Sequence, residues 1–244
     1  MNMRSLRGPL MLTTSIFVLW QAAFWMVGDM ALRSPLSTLL YSSDLLSRES
    51  FYPHLIETCT AFGAAITIAV ASGLAIGLLL GLSQLARGVL EPMLVAMYSI
   101  PKVTLYPILL LAFGLGMPAK IAFGAIHGFI PIALFTINAV RNIRPILLKT
   151  GRMLKMNKMQ MVWRIIMPAA LPEIFTGLRV GFSLTMIGTV LGEMFASQRG
   201  LGYMLMNAIG LHNVDVIMSI TLMLVAFAAS VSSLLLAIDR RMHR

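Results

Sequence analysis

Apolar runs about as long as a bilayer is thick, separated by short polar breaks, leave this chain few ways to fold. A helix needs roughly 20 mostly apolar residues to cross the hydrocarbon. Such runs cover residues 10–30, 54–82, 89–114, 118–140, 171–195 and 214–238. The expected fold class is therefore an all-α membrane protein with six transmembrane helices. Composition agrees: 58% of the 244 residues are hydrophobic and only 11% are charged, against about 25% charged in soluble domains. The net charge of +10 has no soluble module on which to form a basic face. It implies loops on the cytoplasmic side of a membrane, with lipid and not nucleic acid as the surroundings.

The positive charges give a topology. Arg4, Arg7, Arg87, the cations of residues 141–164, Arg240, Arg241 and Arg244 fall on one side of the six runs, while Arg33, Arg48, Lys120 and Arg199 fall on the other. That asymmetry supports six spans of a multi-pass membrane protein with both termini in the cytoplasm. The first run follows Arg4 and Arg7 like a signal peptide, but its apolar part is too long and lacks a small-residue cleavage site, so a retained span is expected. Residues 39–46 are expected to form a short interfacial helix.

Several residues inside the runs carry information. Gly73, Gly77 and Gly81 form two overlapping Gly-x-x-x-Gly pairs, with Gly63 further up the same run; small residues at this spacing let helices approach closely in lipid. Lys102 follows Pro101 inside the third run. A cation there is costly and marks a pathway candidate, with a snorkelling or capping lysine as the plain alternative. His127 has no ligand-spaced partner, which points to an interhelical hydrogen bond. Glu193 is expected near the outer boundary. The single Cys59 excludes an internal disulfide and reads as an apolar filler, and the 20 methionines read as flexible packing.

Residues 141–164 are the only long polar break. They hold Arg141, Arg144, Lys149, Arg152, Lys155, Lys158 and Arg164 and no carboxylate. Residues 144–154 fit a short helix, and Asn157 is a good N-cap for a second. Met161, Ile165 and the pair Met159/Val162 give that second helix an apolar side. Pro168 and Pro172 then mark the return to the membrane.

Helix, turn, helix and a proline-marked re-entry, ending Met167-Pro168-Ala169-Ala170-Leu171-Pro172, resembles the coupling loop of ABC importer permeases, in particular the nitrate/sulfonate/taurine branch. Counting back from Pro168 puts the Glu-Ala-Ala of that pattern on Lys149-Thr150-Gly151 and its Gly on Lys155, so the Glu and the Gly are replaced. Ser34-Pro35-Leu36-Ser37, Ile100-Pro101-Lys102-Val103, Phe113-Gly114-Leu115-Gly116, Gly177-Leu178-Arg179, Gly192-Glu193-Met194 and Gly200-Leu201-Gly202-Tyr203 also resemble this branch. The resemblance covers residues 53–244, the expected permease core, with 1–52 as an added helix and external segment.

The resemblance implies a type I importer permease fold with a cytoplasmic coupling helix at about 141–172. It implies a second permease subunit, two cytoplasmic ATPases that dock on Lys149, Thr150, Gly151, Arg152, Lys155, Asn157, Lys158 and Pro168, and a periplasmic or lipid-anchored binding protein. A translocation pathway past Pro101, Lys102 and Glu193 would carry a small organic or inorganic anion, such as a sulfonate, taurine or nitrate, or a pyrimidine precursor. The chain itself has no Gly-x-x-x-x-Gly-Lys-Ser/Thr loop for ATP phosphates and no catalytic His/Cys/Ser motif. It is expected to be no enzyme and to need no cofactor, with ATP bound by the partner. The alternative is a secondary transporter, which would carry its own coupling site, commonly in matched inverted halves; no inverted repeat and few intramembrane acids are visible.

Overall fold

The computed structural model describes residues 3–242, with the side chains of 3–7, 9, 10, 196 and 240–242 outside that description. The side chains of Arg4, Arg7, Arg240 and Arg241, and all of Arg244, which entered the charge argument, therefore lie outside the described residues.

Among those residues the chain is helical, with no strand. The helices are α1 (Met3–Val27), α2 (Pro35–Ser47), α3 (Tyr52–Leu82), α4 (Gln84–Ser99), α5 (Tyr106–Phe113), α6 (Met117–Arg141), α7 (Pro145–Met153), α8 (Lys158–Met161), α9 (Met167–Ala196), α10 (Leu201–Gly210) and α11 (Val214–Met242). Four segments are long and apolar enough to cross a membrane alone: Glu49–Leu82, Met117–Arg141, Lys158–Phe195 and Val214–Asp239. The α4/α5 pair makes a fifth if counted as one broken span. The expected sixth rests on α1, whose described apolar stretch, Met11–Val27, is 17 residues, at the lower limit for crossing.

The packing core is α3, α6 and α9. Helix α6 is central, with 15 of its 25 residues buried. On α3, Thr58, Ala61, Ala65, Ala69, Gly73, Gly77 and Gly81 are buried in a stripe of small residues at helical spacing. The three glycines lie against Ile132, Thr136 and Val140 of α6, in parallel register. A Cβ at Gly77 would sit 2.5 Å from the Thr136 Cβ and 2.9 Å from the Ala133 carbonyl oxygen. Gly177 and Gly181 of α9 meet Phe135 and Ile132 of α6 in the same way. Lipid gives no hydrophobic drive between helices, so this close approach is what holds them. Gly63 does not belong to the stripe, since a Cβ there would meet nothing.

Several expectations need correction. The third run is not one straight span: α4 and α5 are bent by 95° at a break. Pro101 has no N–H and forces Ile100 out of the helical region (φ −69°, ψ 135°). The prolines after the basic loop do not interrupt the chain's helix. Pro168 follows a single π-helical turn, Val162–Ile166, in which Met167 N donates to the Val162 carbonyl, so the helical backbone runs on through the proline. Lys158–Phe195 is thus a helical rod of 38 residues. The interfacial helix is longer than 39–46, running from a Ser34 N-cap that accepts from Ser37 N at 3.1 Å. His127 bonds within its own helix, Nδ1 to the Phe123 carbonyl at 2.9 Å, and among the described residues it makes no hydrogen bond across helices. Cys59, expected as a small apolar filler in a helix, lies exposed on the surface of α3.

The segment joining α1 to α2 is tied to α11. Arg33 Nη2 donates to Asp215 Oδ2 at 2.9 Å, and this hydrogen bond raises the guanidinium further above its usual range.

Candidate functional site

The basic loop is a rigid mount. Helix α7 ends in a left-handed turn: Lys155 has φ +51°. Met156 N donates to the Gly151 carbonyl at 3.1 Å and Lys155 N to the Arg152 carbonyl at 3.0 Å. That pair of bonds is a Schellman closure with Lys155 at the position glycine favours. Asn157 then caps α8: Gln160 N donates to Asn157 Oδ1 at 2.8 Å, and Asn157 N donates to Gln160 Oε1 at 3.0 Å. This reciprocal capping box satisfies two helix-end donors. Gly151 is buried, and a Cβ on it would press against the ends of Met161 and Ile165, so α7 lies close on the α8 segment. Ile143, Ile166, Ala170 and Ile174, with Leu148, Met161 and Val162, bind the loop to the C-terminal end of α6 and the N-terminal end of α9. Thr150 spends its hydroxyl on the Ile146 carbonyl at 3.0 Å.

What the mount presents is basic and apolar at once. Arg141 pairs with Glu91 at 3.3 Å. Among the described residues Arg144, Lys149, Arg152, Lys155, Lys158 and Arg164 have no ion-pair partner. Between them Met153 is 85% exposed, and Leu154, Met159 and Trp163 are exposed too. Met159 was expected, with Val162, on the apolar side of the second helix. It points outward instead, its Sδ accepting from Trp163 Nε1 at 3.1 Å. Uncovered apolar side chains ringed by unpaired cations are what a partner surface looks like before the partner binds.

The second cluster lies at the other end of the rod. Glu193, at the far end of α9, is fully buried. Its carboxylate accepts from Thr58 Oγ1 at 2.8 Å and from Gly202 N at 2.9 Å. Leu201 N donates to Thr58 Oγ1 at 2.8 Å and Gly200 N to His54 Nδ1 at 3.1 Å. Successive amides opening α10 are thus capped by side chains of α3 and α9, with the Glu193 carboxyl group at the positive end of the helix dipole. Gly200 has φ +120°, and a Cβ there would run into the Glu193 carboxylate, so no other residue fits this turn. Tyr106 OH donates to the Gly192 carbonyl at 2.6 Å and closes the wall on the α5 side.

Lys120 was counted among the external cations, but it is fully buried in the first turn of α6. Its Nζ donates to Glu57 Oε1 at 2.8 Å and to the Arg199 carbonyl at 3.1 Å. Sequence reasoning missed this pair. The available signal was a lone lysine and a lone glutamate, each in the opening turns of an apolar helix.

Of the pathway candidates, Pro101 opens the break between α4 and α5 and Lys102 follows it, half-buried. Lys102 Nζ donates to the Tyr98 carbonyl at 3.3 Å and lies 4.8 Å from the Tyr98 ring centroid. The structure does not bring Lys102 and Glu193 together: one sits at a helix break, the other inside a closed cluster.

Comparison with known proteins is consistent with this geometry. The family described as "Binding-protein-dependent transport system inner membrane component" matches residues 73–244. The taurine transport system permease protein TauC of Escherichia coli (strain K12) is 30% identical over 193 residues, covering 79% of this chain and 70% of that protein. The putative aliphatic sulfonates transport permease protein SsuC of Bacillus subtilis (strain 168) is 29% identical over 201 residues, covering 82% and 73%. A solved structure of the MetNI methionine ABC transporter in an inward-facing conformation shares the fold, with TM-score 0.70 and 20% identity over 81% of this chain and all of that one. An all-helical bundle with a broken span, a basic loop on a rigid mount and a match over most of its length make this chain a member of the binding-protein-dependent transport system inner membrane component family, the transmembrane permease subunits of ABC importers.

Proposed function

We propose that this chain is one of two permease subunits, identical or different, of an importer powered by two cytoplasmic ATPases and supplied by an extracytoplasmic binding protein. Both termini lie in the cytoplasm, on the side of the basic loop. The observation that carries this reading is the loop itself, whose six cations without an ion-pair partner among the described residues, and exposed Met153, Leu154, Met159 and Trp163, stand on a doubly capped turn. The ATPase docks there, with Lys149, Thr150, Gly151 and Pro168 shaping the mount and Arg152, Lys155 and Lys158 meeting an acidic groove. ATP belongs to that partner, and this chain supplies no phosphate-binding loop.

The rod from Lys158 to Phe195 supports a mechanical account. At 1.5 Å per residue it is about 57 Å long, and it joins the loop directly to the turn clamped by Glu193, Thr58 and His54. ATPase closure that displaces α7 and α8 tilts the rod and is felt at the opposite helix ends. ATP binding thus biases a two-state element. Lys102, beside the break at Pro101, supplies a fixed positive charge on the pathway, and Glu193 holds the outer wall. The cargo is a small organic or inorganic anion, sulfonates foremost, a reading supported by the taurine and sulfonate permeases among the relatives; pyrimidine precursors are the other class within the same branch.

Reconstitution tests the proposal. Proteoliposomes holding this chain, its ATPase and its binding protein should take up a small anion only with ATP, and the isolated chain should bind no nucleotide. Stoichiometric ATP binding by the isolated chain, or uptake driven by an ion gradient without the ATPase, would overturn it.

A further inference from the structure

A cavity of about 610 Å³ opens at the helix ends opposite the basic loop, lined by Glu57, Leu115, Lys120, Ser197, Gln198 and Arg199. Its charges are unequally partnered. The Lys120 ammonium is fully buried and neutralised by Glu57 at 2.8 Å. Among the described residues no carboxylate lies within ion-pair distance of the exposed Arg199 guanidinium. The lining therefore carries one net positive charge, on Arg199.

The backbone beneath that guanidinium is held unusually firmly for an exposed turn. Arg199 N donates to Ser197 Oγ at 3.1 Å, and Ser197 Oγ donates to the Arg199 carbonyl at 2.5 Å. Lys120 Nζ donates to the same carbonyl at 3.1 Å, and the next amide, Gly200 N, donates to His54 Nδ1 at 3.1 Å. Side chains of α3 and α6 thus converge on a turn whose outstanding feature is an arginine without an ion-pair partner among the described residues. A surface arginine kept only for topology needs no such mount. A pre-positioned guanidinium at a polar cavity matches the paired oxygens of an oxoanion.

We propose that this cavity binds a small monovalent oxoanion, with Arg199 as its charged contact and Lys120 positioning the turn. The site lies where cargo would enter or leave the membrane domain on the side away from the ATPases. This inference rests on the small-anion reading above, and its test separates the two. The assembled permease–ATPase complex, in lipid nanodiscs without the binding protein, is titrated with ethanesulfonate and with nitrate by saturation-transfer NMR. Saturable millimolar binding is expected. Arg199→Gln should weaken it about five- to tenfold, the scale of one exposed charge-assisted contact, and Arg199→Lys should recover part of the loss. Equal affinity in wild type and Arg199→Gln, or no saturable binding in wild type, overturns the site. Uptake of the same anions by the complete importer is measured in parallel. Import without such binding leaves the small-anion reading standing and removes the site; binding without import does the reverse.

Discussion

The turn at Lys155 allows a quantitative test of how the loop is built. At φ +51° a residue with a Cβ pays about 1–2 kcal/mol relative to one without. Glycine forfeits part of that gain, about 0.4–1 kcal/mol, through the greater freedom of its open state. Lys155→Gly should therefore stabilise the closed turn by about 0.5–1 kcal/mol, equivalent to about two- to fivefold in the closed-to-open ratio. The reporters are the amides of residues 155 and 156, which bond the Arg152 and Gly151 carbonyls at 3.0 and 3.1 Å. Amide hydrogen exchange on peptides spanning residues 150–160 should slow by that factor. Lys155→Ala removes the same charge but keeps the strain, so its exchange should not slow. If the glycine and alanine variants exchange alike, the left-handed turn is not what limits loop opening and the strain argument is refuted.

Three further outcomes follow from the packing and the clusters. Gly77→Ala places a Cβ 2.5 Å from the Thr136 Cβ and 2.9 Å from backbone oxygen; it should cost about 1–3 kcal/mol, seen as a lower melting temperature in detergent, while Gly63→Ala, facing open space, should leave it unchanged. Glu193→Ala strips Gly202 N of its acceptor, and a buried unpaired amide costs about 1–3 kcal/mol; faster proteolysis in the turn 197–202 should report it, and wild-type resistance would deny the cap its role. Lys102→Met should reduce ATP-driven anion uptake several-fold in a complex that still assembles; unchanged uptake would leave Lys102 a structural residue held by the Tyr98 carbonyl and ring.

What could be read from the sequence was local or periodic. Asn157 announces its cap because an N-cap is decided within four residues, and Gly73, Gly77 and Gly81 announce a packing face because their spacing keeps them on one side of a helix. The stripe continues through Ala69, Ala65 and Ala61, which an alanine-rich apolar run conceals. The break at Pro101 was half visible. Proline marks a lost hydrogen bond, but whether a helix kinks or stops depends on Ile100 taking an extended conformation, which its neighbours decide. Pro168 shows the converse: read as a boundary, it sits inside a continuous rod because the π turn before it absorbs the missing donor. The Lys120–Glu57 pair was out of reach, since the partners are 63 positions apart and nothing between them signals that α3 and α6 run parallel and in register. Lys155 at a position shaped for glycine was legible only through the family pattern, and its left-handed φ explains why glycine suits that position.

The most direct measurement is the affinity of the partner ATPase for the membrane domain as a function of salt, in wild type and in the Arg152→Gln/Lys155→Gln/Lys158→Gln triple variant. All three side chains are exposed and unpaired among the described residues, and exposed charge pairs weaken as ionic strength rises. Wild-type affinity should fall between about 0.05 and 0.5 M salt, toward the residual contributed by Met153, Leu154, Met159 and Trp163. The triple variant should start near that residual and hardly change, with the membrane domain still monodisperse. An unaltered affinity with an unaltered salt dependence in the triple variant would contradict the assignment of this loop as the ATPase's electrostatic docking surface.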